Sequence, residues 1–460
     1  MWVKKAKNIL LIMMLCLQMF GCDSISNLSL PSINWSPIDW LGDDKDLDDE
    51  SPDDIDLKAQ KTEIIGEKQH VTTLQIESGA LDSNIIPDAV ITSEWPHEMA
   101  QFSGNIKGST LSNVTSAAVI GEGYDWGEHA IAPSAIIAGD IAVAMDGRGY
   151  ISAHKITGSI LTEILWQNDA IASDDDIITG GLAISEGVIF AITSHGDLVA
   201  INVKNGKKLW QQNLNEPIRA SLKLRGNNLL VVTADSQLLC FDKSSGAALW
   251  QHRSVAQNSG MFGTSLPAIN DNALILSFPS GDLSSLNPDN GELLWSDSLQ
   301  KTDASGKTNR LFSGVDANPI LDDNLLISGN LEDLTIAHDA TSGARIWELA
   351  TGIAHNPWVA GDGAFAITNH GEMLAIHKYR GVVAWSSKFA QNNNVRYYGA
   401  FLLNGQLLAL SQLGEVFAFS PVSGKKLWVR ELDYNIAASP AFSGKNALLV
   451  TNDAQLLIVK

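Results

Sequence analysis

In this chain of 460 residues, the side chains whose types could do chemistry are thinly spread. Asp174, Asp175 and Asp176 form an acidic triplet able to attract a cation, but three consecutive acids are also the composition of a solvated turn. An acidic run from Asp43 to Asp56 could start a calcium loop at Asp44. It fails as one, because Asp49 stands where the sharp turn needs Gly and Ile55 where the bidentate Glu belongs. The stretch GEGYDWG at Gly121 has its third Gly displaced and opens no helix, so it is no dinucleotide fingerprint. No Gly-x-x-x-x-Gly-Lys, His-Glu-x-x-His or Cys-x-x-Cys occurs, and the ten His are scattered. Cys240, alone in the apolar QLLCFD, reads as core. No catalytic residue, metal ligand or cofactor is therefore expected.

The elements that would have to position such groups are far more regular. A Gly four residues before a Trp recurs at Gly206/Trp210, Gly246/Trp250, Gly291/Trp295, Gly343/Trp347, Gly381/Trp385 and Gly424/Trp428, and a degenerate copy ends at Trp166. The steps between these Trp residues are 44, 40, 45, 52, 38 and 43, a period that belongs to propeller blades. Within Gly180 to Leu214, three β-branched, apolar runs separated by turn residues precede the Gly-x-x-x-Trp segment, which makes four antiparallel strands. Asn205-Gly206 and its counterparts supply the positive φ of a tight hairpin. Each Trp then falls on the outer strand, where an indole packs between blades.

After Trp428 three further strands run to Lys460 without the Gly-x-x-x-Trp hairpin, so an eighth blade lacks one strand. Asn113 to Gly121 (NVTSAAVIG) has strand composition and can fill the gap, which would otherwise leave unpaired edges. The expected fold is all-β: an eight-bladed propeller of four-stranded antiparallel blades over residues 93–460, closed by an N-terminal strand.

Residues 1–21 read as an export signal, with Lys4, Lys5 and Lys7 before the apolar run Ile9 to Phe20. The run is too short to span a bilayer. Gly21-Cys22 follows, and the segment is similar to a bacterial lipoprotein signal in which Cys22 becomes the lipidated first residue, carrying palmitate-type acyl chains. The alternative is an ordinary signal peptide with a stray Cys. Cys16 leaves with the signal, so no intramolecular disulfide is expected. Residues 22–92 read as an acidic tether, with nine acids against one Lys between Asp43 and Asp56, too polar to fold alone. Trp35 and Trp40 could rest at a lipid interface or dock on a partner. Losing residues 1–21 removes three Lys and takes the formal charge from −21 to −24, of which −14 falls on residues 57–460. Such a surface repels nucleic acid and anionic headgroups, so membrane attachment would depend on the lipid.

The hairpin Ala-x-Asp/Asn-x-x-x-Gly-x-x-x-Trp is the repeat of pyrroloquinoline-quinone-type propellers, and the chain resembles the BamB family of lipoproteins in the outer-membrane β-barrel assembly machinery. The resemblance covers roughly residues 93–460 and includes SEWPHEMAQFSG at Ser93. SGMFGTSLPAI from Ser259 and RLFSGVDANPI from Arg310 lie where that family contacts the POTRA domains of the barrel-forming subunit. By this resemblance Met261 matches an apolar contact and Asp316 the second of two acidic ones. Phe262 stands where the family often has Arg, and Gly314 where it often has the first Asp. Met261 and Phe262 could equally be packing between blades.

The resemblance implies a non-catalytic scaffold, assisting the folding and insertion of outer-membrane proteins. Its partners would be POTRA domains and unfolded outer-membrane chains, with no nucleic acid and no cofactor. It would sit at the outer membrane facing the periplasm, although Asp23 after Cys22 is a residue that can retain lipoproteins at the inner one. Two rivals share the repeat or the fold: a quinoprotein dehydrogenase, which would use an Asp base, calcium and often adjacent Cys residues, and a periplasmic propeller for another protein or small ligand. The chain has no Cys-Cys pair.

Overall fold

A computed structural model describes residues 86–91, 94–95, 104–123, 132–173, 180–218, 221–253, 266–278, 281–299, 317–330, 334–389 and 395–460. Among them there is no helix, and eight sheets follow one another as the blades of a propeller. Blade 2 is typical, with strands Gly180–Ser185, Val188–Thr193, Asp197–Asn202 and Lys208–Asn213 pairing in sequence order. Its two middle strands are buried on both faces, which is why VIFAIT and DLVAIN read as nearly continuous apolar runs. The fourth strand, KLWQQN, is mostly exposed and gives only its Trp to the interior.

The apolar core is a set of layers between blades. One cluster joins Val143 and Trp166 of blade 1 to Leu182 and Val199 of blade 2; another joins Phe190 and Leu198 to Leu229 and Phe241 of blade 3. The sequence continues this way round the ring to a large cluster over blades 6, 7 and 8 that also takes in Ile137 and Ala142 of blade 1. Each blade thus buries one face against each neighbour.

Closure follows the expected route. Val114–Val119 pairs antiparallel with Gln455–Val459 as the fourth strand of blade 8, Val119 opposite Gln455 and Val114 opposite Val459. The pairing carries a register shift between Ile458 and Val459, at the position where Ala200/Ile201, Cys240/Phe241 and Ser285/Leu286 carry theirs. The N-terminal strand therefore reproduces even the bulge of the hairpins it replaces.

Residues before that strand add to inner edges. Ile106–Lys107 pairs parallel with Tyr397–Leu403, the inner strand of blade 7, and Val90–Ile91 pairs parallel with Ile106–Lys107. Glu94–Trp95 pairs antiparallel with Ile136–Ala138 of blade 1. Ile86 packs on the large core cluster, so the stretch read as tether, 22–92, includes residues the structure places in a sheet. The asparagines knit this segment in. Asn105 donates to Pro87 O (3.0 Å) and accepts from Gly405 N (3.0 Å), and Asn404 brackets Gly108 with 3.1 Å and 2.7 Å bonds.

Candidate functional site

The repeated Trp residues meet the next blade in one geometry. Trp166, Trp210, Trp295, Trp347 and Trp385 each donate the indole N–H to a backbone carbonyl of the following blade, at Val203 (2.7 Å), Lys243 (3.1 Å), Ala340 (2.8 Å), Lys378 (2.7 Å) and Pro421 (2.9 Å). Every acceptor lies three residues before the turn Gly of its blade. That Gly has a φ near +70° and lies against the same indole; a Cβ on Gly206 would stand 2.6 Å from the Trp166 ring, and one on Gly424 2.4 Å from that of Trp385. Glycine is thus needed for conformation and for space. Trp250 keeps the Gly291 contact, but its N–H, though buried, has no partner among the described residues. Trp428 turns to its own blade, donating to Gln406 Oε1 (3.1 Å), with the Arg430 guanidinium 4.6 Å over its ring.

Asp146 holds the closing strand to blade 1. Only 1% exposed, it accepts backbone N–H bonds from Glu122, Arg148 and Tyr150, each 2.9 Å. Arg148 adds an ion pair to Glu122 at 2.9 Å. A Cβ at Gly121 would fall 1.9 Å from Asp146 Oδ2, which explains the first glycine of GEGYDWG as close approach to another blade. Sequence reading passed over Asp146. The signal available was the facing pair of Gly-x-Gly stretches, 121–123 and 147–149.

The titratable groups form ties between elements. His338, fully buried and stacked on Trp295, shares Asp297 with Arg345, through Nε2 to Oδ2 at 2.7 Å and the guanidinium at 2.7 and 2.9 Å. Burial would raise the Asp297 carboxyl, but the bonds from Arg345 and His338 outweigh it and hold it at about 2; burial lowers His338 against the pull of Asp297. Among the described residues no hydroxyl meets His338 Nδ1, and the imidazole is buried while only Asp297 reaches the surface, so the couple braces blades 4 and 5. Lys378, buried beside Asp322, is raised because that carboxylate outweighs desolvation. Burial brings His355 down to about 3, with the Arg396 charge acting the same way, and pushes the Cys240 thiol up to about 12, an inert core thiol. Among the described residues no three His, Cys, Asp or Glu side chains gather to hold a metal ion.

Met261, Phe262 and Asp316 lie outside the described residues, as do Cys22, Asp23, Trp35, Trp40, the acidic run and Asp174 to Asp176. What is described is the frame around the first three. Residues 254–267 join the outer strand of blade 3 to the inner strand of blade 4, and 299–319 join blade 4 to blade 5; with 120–135, between blades 8 and 1, these are the three longest links between successive blades. Leu266 N donates to Asn318 Oδ1 (2.5 Å), and Asn318 N to Asn356 Oδ1 (2.9 Å), so residues two before the inner strands of blades 4, 5 and 6 are tied in series.

The family model described as outer membrane protein assembly factor BamB matches residues 147–387, from the second turn of blade 1 into the last strand of blade 6. The chain belongs to the BamB family. It is 22% identical over 361 residues to the outer membrane protein assembly factor BamB of Yersinia pestis, covering 76% of this chain and 87% of that one. An uncharacterized protein of Rickettsia prowazekii is 24% identical over 263 residues, 56% of this chain, and one of Rickettsia conorii 26% over 252 residues; the matches span only 62% and 60% of those relatives. In fold, the crystal structure of BamB from Moraxella catarrhalis superposes with a TM-score of 0.62 at 17% identity, covering 75% of this chain and 99% of that one. A quinohemoprotein alcohol dehydrogenase from Comamonas testosteroni reaches the same TM-score at 12% identity, covering 82% of each chain. The propeller is thus common to BamB proteins and quinoprotein enzymes, and at these identities likeness of structure speaks to fold alone.

Proposed function

We propose that this chain is a non-catalytic scaffold of outer-membrane protein assembly, working from the periplasmic side of the outer membrane and binding POTRA domains of the barrel-forming subunit and unfolded outer-membrane chains. The family match over residues 147–387 carries the reading. It is supported by a frame in which five indole clasps and interblade cores stiffen the ring, while two long links, which contain Met261, Phe262 and Asp316, attach on either side of blade 4. A stiff ring lets contact residues sit on links without weakening the core. The buried titratable groups serve as braces between blades, which fits a scaffold better than the dehydrogenase reading.

Replacing Met261 and Phe262 together by Ala is expected to weaken capture of purified POTRA domains by about 2 kcal/mol or more, roughly thirtyfold, if the pair is a hot spot. The far-ultraviolet circular dichroism should stay that of the parent. Unchanged capture would remove the pair from the interface, and loss of the folded spectrum would make it core.

The anchor of this reading is Cys22. Cys22→Ala should move the protein from membrane to soluble fractions, because a surface of formal charge −14 over residues 57–460 has no attraction of its own for anionic lipid. A variant that stays with membranes would show that something other than an acyl chain holds it.

A further inference from the structure

The joint between blades 3 and 4 departs from its neighbours at one atom. The carbonyl three residues before Gly291 is Pro288 O, the counterpart of the five that accept an indole N–H. Here it accepts from Asn228 Nδ2 at 3.4 Å, and the Trp250 indole N–H has no hydrogen-bond partner among the described residues. Asn228 begins the second strand of its blade, opposite Asp242; Ile141, Val188 and Leu325 occupy the matching place in blades 1, 2 and 5. An amide there reaches the carbonyl that the indole would otherwise use. Blade 7 supplies the parallel case: its second strand begins with Gln406, and Trp428 bonds that amide in place of the next blade.

The apolar layer between blades 3 and 4 is kept, but what stands at its rim in place of the indole bond is polar and solvent-exposed. Arg225 Nη1 bonds Asp289 Oδ1 at 2.6 Å, and Arg225 Nη2 bonds Asp271 O at 3.2 Å. The Asp289 side chain is 75% exposed. His252 Nδ1 lies 3.1 Å from Gly291 O. An ion pair so open to solvent is screened by salt, whereas an indole bond buried against a glycine is not. Buried Ser285 adds an unpaired hydroxyl in the third strand of blade 4, at the position filled by Ala200 and Ala337 in blades 2 and 5.

We propose that the joint between blades 3 and 4 is the yielding seam of the ring, a built-in device that opens before the other clasped joints and opens more readily as ionic strength rises. The repeat supplies its own controls. Gly291 N–H bonds Asn287 O at 2.9 Å, and the amides of Gly206, Gly246, Gly343 and Gly424 make the same bond in the same turn at 2.8 to 2.9 Å. In the full chain, with intrinsic rates corrected, the Gly291 amide should exchange with deuterium about fivefold faster than those four, the effect of one missing hydrogen bond. Raising sodium chloride from about 0.05 to about 0.5 M, which shrinks the screening length several-fold, should speed Gly291 further and leave the others unchanged. Equal protection at all five glycines, or the same salt response, would overturn the proposal.

A variant pair reads the cause. Asn228→Val frees Pro288 O for the indole and should slow Gly291 exchange to the rate of its counterparts. Trp250→Phe, which loses ring contact with Gly291 but no hydrogen bond, should speed Gly291 exchange in the parent chain less than Trp210→Phe speeds that of Gly246, and should abolish the gain in the Asn228→Val chain. If Trp250→Phe speeds Gly291 in the parent as much as Trp210→Phe speeds Gly246, the indole of Trp250 already clasps its neighbour and the seam is not there.

Discussion

A chain lacking residues 22–85 should melt cooperatively at the temperature of the parent, whereas one lacking residues 22–125 should lose most of its stability or fail to stay soluble. The first cut stops short of Ile86 and spares the strands at Val90–Ile91 and Ile106–Lys107. The second removes the fourth strand of blade 8, together with Leu111 and Ile120, which are 0% and 1% exposed. Burial of each such side chain contributes about 1.5–3 kcal/mol. The ladder to Gln455–Val459 goes with them, and the exposed edge of blade 8 becomes a template for aggregation. The sum is on the order of the whole stability of a typical domain, about 5–15 kcal/mol. Calorimetry and a solubility assay on the two truncations decide it, and equal melting temperatures would mean that the ring does not depend on this strand.

Asp146→Ala should cost about 3–5 kcal/mol, the largest effect expected of any single substitution discussed. Three backbone N–H groups, from Glu122, Arg148 and Tyr150, lose an acceptor that is itself only 1% exposed, while the Arg148–Glu122 ion pair remains. Asp146→Asn retains one acceptor oxygen and should cost clearly less. Urea denaturation of both variants tests this, and amide exchange at Ala118 and Ile120 should rise in the Ala variant before any exchange at blade 3. An Ala variant as stable as the parent would show that the tail of the closing strand is held by its sheet alone.

The contrast between these two sites marks what could be read from residue order. The blades, their hairpins and the closing strand were readable because each is local: Asn205-Gly206 sets its own turn, and a strand is announced by six residues such as VIFAIT. Asp146 was not, because its bonds to Arg148 and Tyr150 only close a turn, and its tie to the closing strand exists only when Glu122, 24 positions away, is laid beside it. The clasps were half visible. A Trp at a fixed offset says that it packs; that its N–H meets the carbonyl three residues before the next Gly depends on the angle between blades, which no periodicity encodes. The two-residue strands at Val90–Ile91 and Glu94–Trp95 are too short to carry any pattern. Trp250 looks like its six fellows in sequence, and only the neighbourhood of Asn228 sets it apart.

The closing contact also imposes an order in time. Thr115 bonds Ile458 across 343 residues, so the first strand of the ring to be made waits, unpaired, for nearly the last. Contacts of such separation form slowly, because the loop between them must be ordered before they reward it. A chain released segment by segment can assemble blades 2 to 6 from consecutive residues, yet blade 8 and its seam with blade 1 must stay incomplete until Gln455–Val459 has been released. Through that interval Val114–Val119 is an exposed strand edge looking for a partner, and whatever shields it then helps determine how much of the protein ends as a ring.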